Sequence, residues 1–287
     1  MIQPSLVNQL SAGTSAAVLP GLSAPFGEVD FAAFQKRVEL STRILLSEYK
    51  SDQMRRRIAT LAEKSGCKSF VEYARIIEQD STALSAFLDR MTINVTELMR
   101  NPDRFDELAK FALPELMARR KGTPISVWSA GCSYGAEAYT VAMLLHELDP
   151  TVQHKVKGTD LDLAILAKAD RPTFTPADML NVSPARRETH FHELCGSYQP
   201  KMHLKSRVRF SQHDLLAHPY PNAEYDLVLC RNVVIYFTDD AKDRIYRGLF
   251  QSLKPGGILF VGGTERIADH RGIGFESLRP FFYRKPL

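Results

Sequence analysis

The sequence has no long apolar run, few cysteines and little excess charge, and each shortage excludes a class of protein. No apolar stretch reaches the roughly 20 residues that a membrane-spanning helix needs, so we expect no direct membrane insertion. The four cysteines form no C-x-x-C pair, which predicts reduced thiols and neither a bound metal nor disulfides. The net charge of +4 is too small to indicate nucleic-acid binding. Because the N-terminus lacks a secretory signal pattern, the expected location is the cytoplasm.

The most informative feature that is present is a glycine turn between a predicted strand and a predicted helix. The strand covers residues 125–129, the helix covers residues 138–145, and Gly131 and Gly135 lie between them. Glycine lets the backbone approach a ligand, and an open α/β sheet binds its cofactor where a strand ends beside a helix N-terminus. The turn therefore predicts a nucleotide or cofactor site.

Three kinds of site fit such a turn. A dinucleotide site needs G-x-G-x-x-G, and two glycines alone disfavour NAD. The pattern G-x-S-x-G would make Ser133 the nucleophile of a hydrolase, with His270 as its candidate histidine. The third kind is the first loop of an S-adenosylmethionine (SAM) methyltransferase, which would have one carboxylate just after the turn and another after the next strand.

Two carboxylates occupy those positions. Glu137 follows the turn, and Asp160 follows a second predicted strand at residues 154–159. A carboxylate at the end of a strand accepts hydrogen bonds from both hydroxyls of a ribose, but aspartate also caps helices. Asp160 therefore has two interpretations, whereas Asp162 is predicted to be the N-cap of a helix at residues 163–169.

The sequence of the N-terminal third predicts a tail followed by a helical domain. Residues 1–27 lack periodicity and are predicted to be a mobile tail. Residues 28–90 have helical periodicity and predict a small all-α domain. One of its helices carries a basic cluster of Lys50, Arg55, Arg56 and Arg57. This basic cluster is either a docking face for an acidic partner or a solvated helix face.

The rest of the chain predicts a cofactor domain at residues 123–287, joined to the helical domain by a linker at residues 91–122. Residues 225–230 have the pattern of a buried parallel strand, which ends at Arg231 and Asn232. Polar groups at this position point into the same crevice as the glycine turn.

The C-terminal segments complete the predicted α/β pattern. A helix at residues 240–253 is followed by Lys-Pro-Gly-Gly at 254–257, a predicted tight turn into a strand at 258–261. This order is common in SAM-dependent methyltransferases. The apolar run at residues 281–283 predicts an antiparallel edge strand.

Together these segments resemble the chemotaxis receptor methyltransferases, the CheR family, over nearly all of the chain after the tail. The motifs are Met-Thr-Ile-Asn-Val-Thr at 91–96 with Arg100, Trp-Ser-Ala-Gly-Cys-Ser at 128–133, Thr-Asp-Leu-Asp at 159–162, and Cys-Arg-Asn-Val-Val-Ile-Tyr-Phe at 230–237. The resemblance implies an α/β fold: a Rossmann-like SAM-dependent methyltransferase domain with a small inserted β-subdomain, preceded by an all-α domain. It also implies methylation of glutamate side chains on the cytoplasmic helices of membrane chemoreceptors, for chemotactic adaptation, with S-adenosylhomocysteine as product.

The resemblance also implies roles for individual residues. The implied cofactor-binding residues are Asn94, Thr96, Arg100, Gly131, Glu137, Asp160, Asp214, Leu215, Arg231 and Asn232. Arg100 and Tyr236 resemble the residues nearest the transferred methyl group, and the basic cluster fits an acidic helical partner. Two departures are Ala136 in place of a glutamate and Asp214 in place of an asparagine; the latter keeps an acceptor but loses an amide donor. They leave open an alternative, a SAM- or nucleotide-binding signalling module that does not methylate receptors.

The expected β-subdomain covers about residues 189–212, with alternating runs at 202–204 and 208–210. Some family members use this subdomain to bind a receptor tail peptide. The connecting stretch at residues 194–200 is shorter here, which favours a member that does not need the peptide, although a hairpin without a binding role remains open.

The expected chemistry is mainly one of positioning. A glutamate carboxylate is already ionised near neutral pH, so its methylation needs no general base. The methyl donor and the carboxylate oxygen must be aligned in a poorly solvated site, where Trp128, Val233 and Phe237 are expected to exclude water. Arg100 is expected to orient the substrate carboxylate or the cofactor tail, or else to form a linker salt bridge. Tyr236 either donates a hydrogen bond to the carboxylate or only packs.

Overall fold

The computed structural model describes residues 26–92 and 96–287, which form a helical N-terminal region followed by a region built around a seven-stranded sheet. Nearly all of the predicted mobile tail, residues 1–25, lies outside these ranges. The helices are α1 (Glu28–Thr42), α2 (Ser51–Lys64), α3 (Phe70–Gln79), α4 (Ser81–Thr92), α5 (Pro102–Glu107), α6 (Leu113–Arg120), α7 (Ala136–Leu148), α8 (Leu163–Asp170), α9 (Pro184–His190), α10 (Met202–Lys205), α11 (Asp239–Ser252) and α12 (His270–Ile273). The strands are β1 (Ser126–Ala130), β2 (Lys155–Asp160), β3 (Phe191–Leu194), β4 (Ser197–Pro200), β5 (Val208–Gln212), β6 (Tyr225–Cys230), β7 (Leu253–Val261), β8 (Glu276–Arg279) and β9 (Phe282–Arg284).

The N-terminal helices pack around aromatic side chains. Phe34 of α1, Phe70 of α3 and Phe87 of α4 are fully buried, and the ring of Phe34 contacts the rings of the other two. Buried Asp30 accepts hydrogen bonds from the backbone N–H groups of Phe70 (2.7 Å) and Val71 (3.3 Å), which the first turn of α3 leaves without helical partners. The predicted helical domain is therefore confirmed, although α4 was not predicted.

The large sheet has the strand order β5-β2-β1-β6-β7-β9-β8. The first five strands are parallel, and their carboxyl ends lie along one edge of the sheet. Predicted and observed bounds agree for β6 and differ by one residue for β1, β2 and α11. Buried side chains cover both faces of the sheet, and the core on one face is continuous with that of the helical region.

Two C-terminal predictions are wrong. The run at residues 281–283 was expected to form the edge strand, but β9 pairs with both β7 and β8, so β8 is the edge. The tight turn predicted at residues 254–257 is part of β7, whose pairing with β6 is irregular between Tyr225 and Leu227. Gly256 has φ of +75°, and its N–H donates to the Lys285 carbonyl. Leu253 lies opposite Tyr225 and Ile258 lies opposite Leu227, so residues 254–257 face a single residue of β6. The predicted turn is therefore a bulge inside β7 and not a turn ahead of the strand.

The expected β-subdomain is smaller than predicted. Strands β3 and β4 form an antiparallel pair, and two backbone hydrogen bonds of 2.8 Å join Tyr198 of this pair to Phe174. The run at residues 202–204 lies in helix α10, and the run at 208–210 lies in β5 of the large sheet. Alternation in such short runs does not distinguish a small subdomain from the edge of a larger sheet.

The helical region is attached to the sheet region by main-chain hydrogen bonds. The N–H of Lys50 donates to the Tyr236 carbonyl (2.9 Å), and the N–H of Thr238 donates to the Glu48 carbonyl (2.8 Å). Between them Tyr49 and Phe237 form an isolated antiparallel bridge. The N-terminus of α2 is therefore held beside the segment that follows β6.

A cluster of three histidine side chains lies where α7, α9 and α10 meet. His190 Nδ1 lies 3.0 Å from His203 Nε2, and its Nε2 lies 3.2 Å from Glu147 Oε1. The centroid of the His146 ring lies 4.4 Å from that of His203, and the two rings are tilted by 30°. Burial, followed by the charges of its histidine and cationic neighbours, lowers the pKa of His203 to about 4.

This cluster predicts acid sensitivity. In the unfolded chain His203 takes up a proton near pH 6.5, whereas in the folded chain it does so near pH 4, so stability falls as the pH drops through that window. With allowance for partial exposure, we expect His203→Gln to reduce the difference in unfolding free energy between pH 7.5 and pH 5 by about 1 kcal/mol. Urea denaturation of the wild type and the variant at the two pH values measures this difference in unfolding free energy. His192→Gln, on an exposed position of β3, is the control and is expected to leave the difference unchanged.

Candidate functional site

A cleft lies at the carboxyl ends of β1, β2 and β6, roofed by the linker and by the helical region. The space between its walls, counted together with its open mouth, is about 930 Å³. The predicted site residues that line it are Thr96, Arg100, Gly131, Glu137, Asp160, Asp214, Leu215, Arg231, Asn232 and Tyr236. Asn94, the other predicted cofactor residue, lies outside the described residues.

The glycine turn is needed for loop packing. Gly131 has φ of +74°, and a Cβ placed on it would lie 2.5 Å from a methyl group of Val233. The turn is also tied to β2, because the N–H groups of Gly131 and Cys132 both donate to the Thr159 carbonyl (2.8 Å). Glycine at 131 thus lets the segment after β6 close against the end of β1.

Asp160 organises the turn from the end of β2. Its Oδ2 accepts from the N–H of Ser133 (2.9 Å) and its Oδ1 accepts from the N–H of Asp162 (3.1 Å). Burial raises the pKa of this carboxyl. Asp162 accepts from the N–H groups of Ala164 and Ile165 and caps α8, as predicted. Asp160 is therefore not that cap, and its carboxylate lines the cleft.

Glu137 and Arg231 form a buried ion pair across the cleft floor. Glu137 Oε2 lies 3.3 Å from Arg231 Nη1, and its Oε1 accepts from the Ser129 hydroxyl (2.7 Å). Arg231 Nη2 donates to the carbonyl of Arg100 (2.9 Å) and to Asn101 Oδ1 (3.1 Å). Arg231 thus connects the glycine-turn helix to the linker.

The Arg231 guanidinium is enclosed by aromatic rings. It lies 4.7 Å from the ring centroids of both Phe105 and Phe260. Burial lowers its pKa, and the attraction of Glu137 opposes that shift. A guanidinium enclosed in this way is held in one orientation, so Arg231 is well placed to fix Glu137.

Glu265 is a site-forming residue that the sequence analysis missed. Its carboxylate accepts from the N–H groups of Val233 (2.8 Å), Val234 (3.0 Å), Gly262 (2.9 Å) and Asn232. Burial raises its pKa despite these four donors. In the sequence, Glu265 is marked only as a single acidic residue shortly after the two glycines that follow β7.

A second missed contact anchors the linker. The Tyr134 hydroxyl lies within hydrogen-bonding distance of the Thr96 carbonyl and 2.8 Å from Asp178 Oδ1. The N–H of Leu98 donates to the Asp178 carbonyl (3.0 Å). The turn residue Tyr134 therefore holds the linker over the cleft.

The expected water-excluding residues are only partly in place. Val233 and Phe237 line the cleft, but Trp128 does not. Its ring is buried in the core, and its indole N–H donates to the Thr159 hydroxyl (2.8 Å). Side chains alternate between the two faces of the sheet along β1, and this alternation directs the Trp128 ring into the core on one face. Its predicted role in the cleft is therefore wrong. His270, the candidate histidine of the hydrolase interpretation, packs on Tyr283 instead of lining the cleft with Ser133.

The basic cluster lies beside the cleft. Lys50 and Arg56 are exposed, and Arg55 lies 3.6 Å from Glu28. The Arg57 guanidinium lies 5.6 Å from the ring centroid of Tyr236, which lines the cleft. The cluster therefore adjoins the cleft at Tyr236.

The described parts of the chain add two negative findings. They contain no group of three or more histidine, cysteine or acidic side chains placed to hold a metal ion. Among their helices, none combines the length and apolar character needed to cross a bilayer.

The parallel sheet, with Glu137 after β1, Asp160 at the end of β2 and an arginine–asparagine pair after β6, fits the class of SAM-dependent methyltransferases. Residues 94–278 match the CheR methyltransferase SAM-binding domain, and residues 29–92 match the CheR methyltransferase all-alpha domain. The chain therefore belongs to the CheR methyltransferase family. It is 36% identical to a chemotaxis protein methyltransferase of Listeria monocytogenes, over 90% of this chain and 98% of that protein. It is 32% identical to chemotaxis protein methyltransferase 1 of Pseudomonas aeruginosa, over 84% of this chain and 92% of that protein.

Proposed function

We propose that this protein transfers the methyl group of SAM to glutamate side chains on the cytoplasmic helical region of membrane chemoreceptors, in the cytoplasm, for chemotactic adaptation. The products are glutamyl methyl esters and S-adenosylhomocysteine. The observation that supports this best is the position of the basic cluster, which lies beside Tyr236 at the cleft to which we assign the cofactor. An acidic, glutamate-bearing helix docked there would lie next to the methyl-transfer site.

The residues of the cleft fit SAM in the order of the strands. Asp214 follows β5, Asp160 ends β2, Glu137 follows β1 and Asn232 follows β6, so these groups lie in sequence along the sheet edge. With about 4.8 Å between strands, they span about 14 Å. We assign Asp214 and Leu215 to the adenine, Asp160 to the ribose hydroxyls and Glu137 to the cationic amino-acid tail, matching acceptors to donors.

The protein's own part in the reaction is to orient the acceptor carboxylate and to exclude water from the cleft. The bound cofactor supplies an electrophilic methyl group on a sulfonium. Arg100 and Tyr236 line the cleft next to the basic cluster, where they would orient the acceptor carboxylate. Val233 and Phe237 line the same cleft, where their apolar side chains would limit the entry of water. A poorly solvated site favours a step in which opposite charges neutralise. No proton needs to move, because the acceptor is already ionised.

Tyr236→Phe tests whether this hydroxyl takes part. We expect kcat for receptor methylation to fall about tenfold, which corresponds to one hydrogen bond of about 1.4 kcal/mol in the transition state. The dissociation constant for S-adenosylhomocysteine, measured by calorimetry, should stay unchanged because the ring remains. An undiminished kcat would remove the hydroxyl from the mechanism.

Charge reversal tests the docking face. The double variant Lys50→Glu and Arg56→Glu changes exposed side chains only, so we expect KM for receptor to rise about tenfold or more while KM for SAM is unchanged. The matched control is Lys36→Glu with Lys64→Glu, two exposed lysines on α1 and at the far end of α2. If both pairs had equal effects, the basic cluster would not be the docking face.

The proposal as a whole is tested with methyl-labelled SAM and membranes that carry a chemoreceptor from the same cell. Label released from the protein fraction as methanol by mild alkali identifies carboxyl methyl esters. Binding of SAM without any volatile label from any receptor would favour the alternative, a SAM-binding signalling module without receptor methylation.

A further inference from the structure

Tyr49 belongs to the helical region, and its side chain lines the cleft. It lies between the helical turn Leu46–Glu48 and α2, outside the sheet region altogether. Its side chain nevertheless lines the cleft together with Asp160, Asp214 and Leu215, and only 8% of the residue is exposed. No motif in the sequence assigns it a function.

The position of the Tyr49 ring is fixed from both sides. Its backbone pairs with Phe237, and the hydrogen bonds of Lys50 and Thr238 flank that pair. The two rings meet edge to face, with centroids 4.6 Å apart and an interplanar angle of 62°. An aromatic side chain held in this way loses little further freedom when a ligand binds against it.

The surroundings of the ring match a nucleoside. Burial, and then the carboxylates of Asp214 and Asp160, raise the pKa of Tyr49, so its hydroxyl stays protonated and able to donate. Those two acids follow the adjacent strands β5 and β2, where the proposed function puts the adenine and the ribose. The flat apolar face of the ring and one donor are the groups that an adenosine needs from a wall of its pocket.

We propose that Tyr49 is a cofactor-binding residue, whose ring forms one wall of the subsite for the adenosine part of SAM; this rests on the proposed function. The helical region then has two roles, because it carries the basic cluster and also completes the cofactor site with Tyr49, two residues before α2 begins. Cofactor affinity consequently depends on the attachment of the helical region to the sheet region.

The test is calorimetric binding of two ligands to the full chain. S-adenosylhomocysteine contains the adenosine and the amino-acid tail, whereas 5′-methylthioadenosine lacks the tail. Tyr49→Ala is expected to weaken both ligands by the same factor, about tenfold or more. Tyr49→Phe restores the wall and should bind both within about threefold of the wild type. Undiminished binding by Tyr49→Ala, or a loss confined to the ligand that has the tail, would overturn the inference.

The control separates direct contact from domain attachment. Glu48→Gln removes an ion pair with Arg244 (2.7 Å) at the same junction but outside the cleft. We expect normal binding of both ligands, and an equal loss in Glu48→Gln and Tyr49→Ala would show that Tyr49 acts only through attachment, against the proposal. Thermal unfolding of each variant confirms folding. A wild type that binds both ligands but methylates no receptor would end the proposed function and leave this inference intact.

Discussion

Replacing Asp160 by asparagine is expected to weaken the binding of S-adenosylhomocysteine about 100-fold, or about 2.7 kcal/mol. The wild-type carboxylate accepts backbone hydrogen bonds on both oxygens and, in the proposed function, accepts from the ribose as well. Asparagine has one acceptor oxygen, so its NH₂ group would face either the Ser133 or the Asp162 N–H. Hydrogen bonds to a charged acceptor contribute about 1.5–3 kcal/mol each, which accounts for a loss of this size.

Asp162→Asn is the matched control, because it makes the same chemical change two residues further on. Asp162 caps α8, and asparagine is about as good an N-cap as aspartate. Calorimetry should therefore give a nearly unchanged affinity for S-adenosylhomocysteine. A similar loss in both variants would mean that the segment, and not the Asp160 carboxylate, determines cofactor binding.

Replacing Glu265 by alanine is expected to lower the free energy of unfolding by about 3–5 kcal/mol and to abolish methylation. The substitution leaves the buried N–H groups of Val234 and Gly262 and the partly buried N–H of Val233 without their acceptor. The same N–H groups hold the segment with Asn232 and Tyr236 at the cleft, so the site and the fold should fail together. Urea denaturation and a turnover assay measure the two effects.

Glu265→Gln keeps this prediction testable if the alanine variant does not fold. Glutamine retains one acceptor oxygen but turns an NH₂ group towards donors, so we expect an intermediate loss of stability and turnover reduced at least tenfold. Glu276→Ala, on an exposed position of β8, is the control and should change the free energy of unfolding by less than about 0.5 kcal/mol. A stable, fully active Glu265→Gln enzyme would show that the segment does not depend on this carboxylate.

Most of the cleft was predictable because its residues directly follow predicted strands. The carboxyl ends of parallel strands share one edge, so a sequence that places Asp160 and Arg231 after strands also brings them together. The same reasoning failed for short or ambiguous runs. Met202–Lys205 is helical although its residues alternate, and the edge strand proved to be β8, not the more apolar β9.

The two-part α/β architecture and the acids at the strand ends were predictable from the sequence, because periodicity and turn residues act locally. The cofactor was predicted only through the resemblance to a known family. What holds those residues in place became apparent from the three-dimensional contacts alone. Glu265 accepts hydrogen bonds from three residues that lie more than 30 positions earlier in the chain. Tyr49 packs against Phe237, which lies in the segment after β6. Such contacts depend on how distant segments pack, and burial then sets the charge state and orientation of groups such as Arg231.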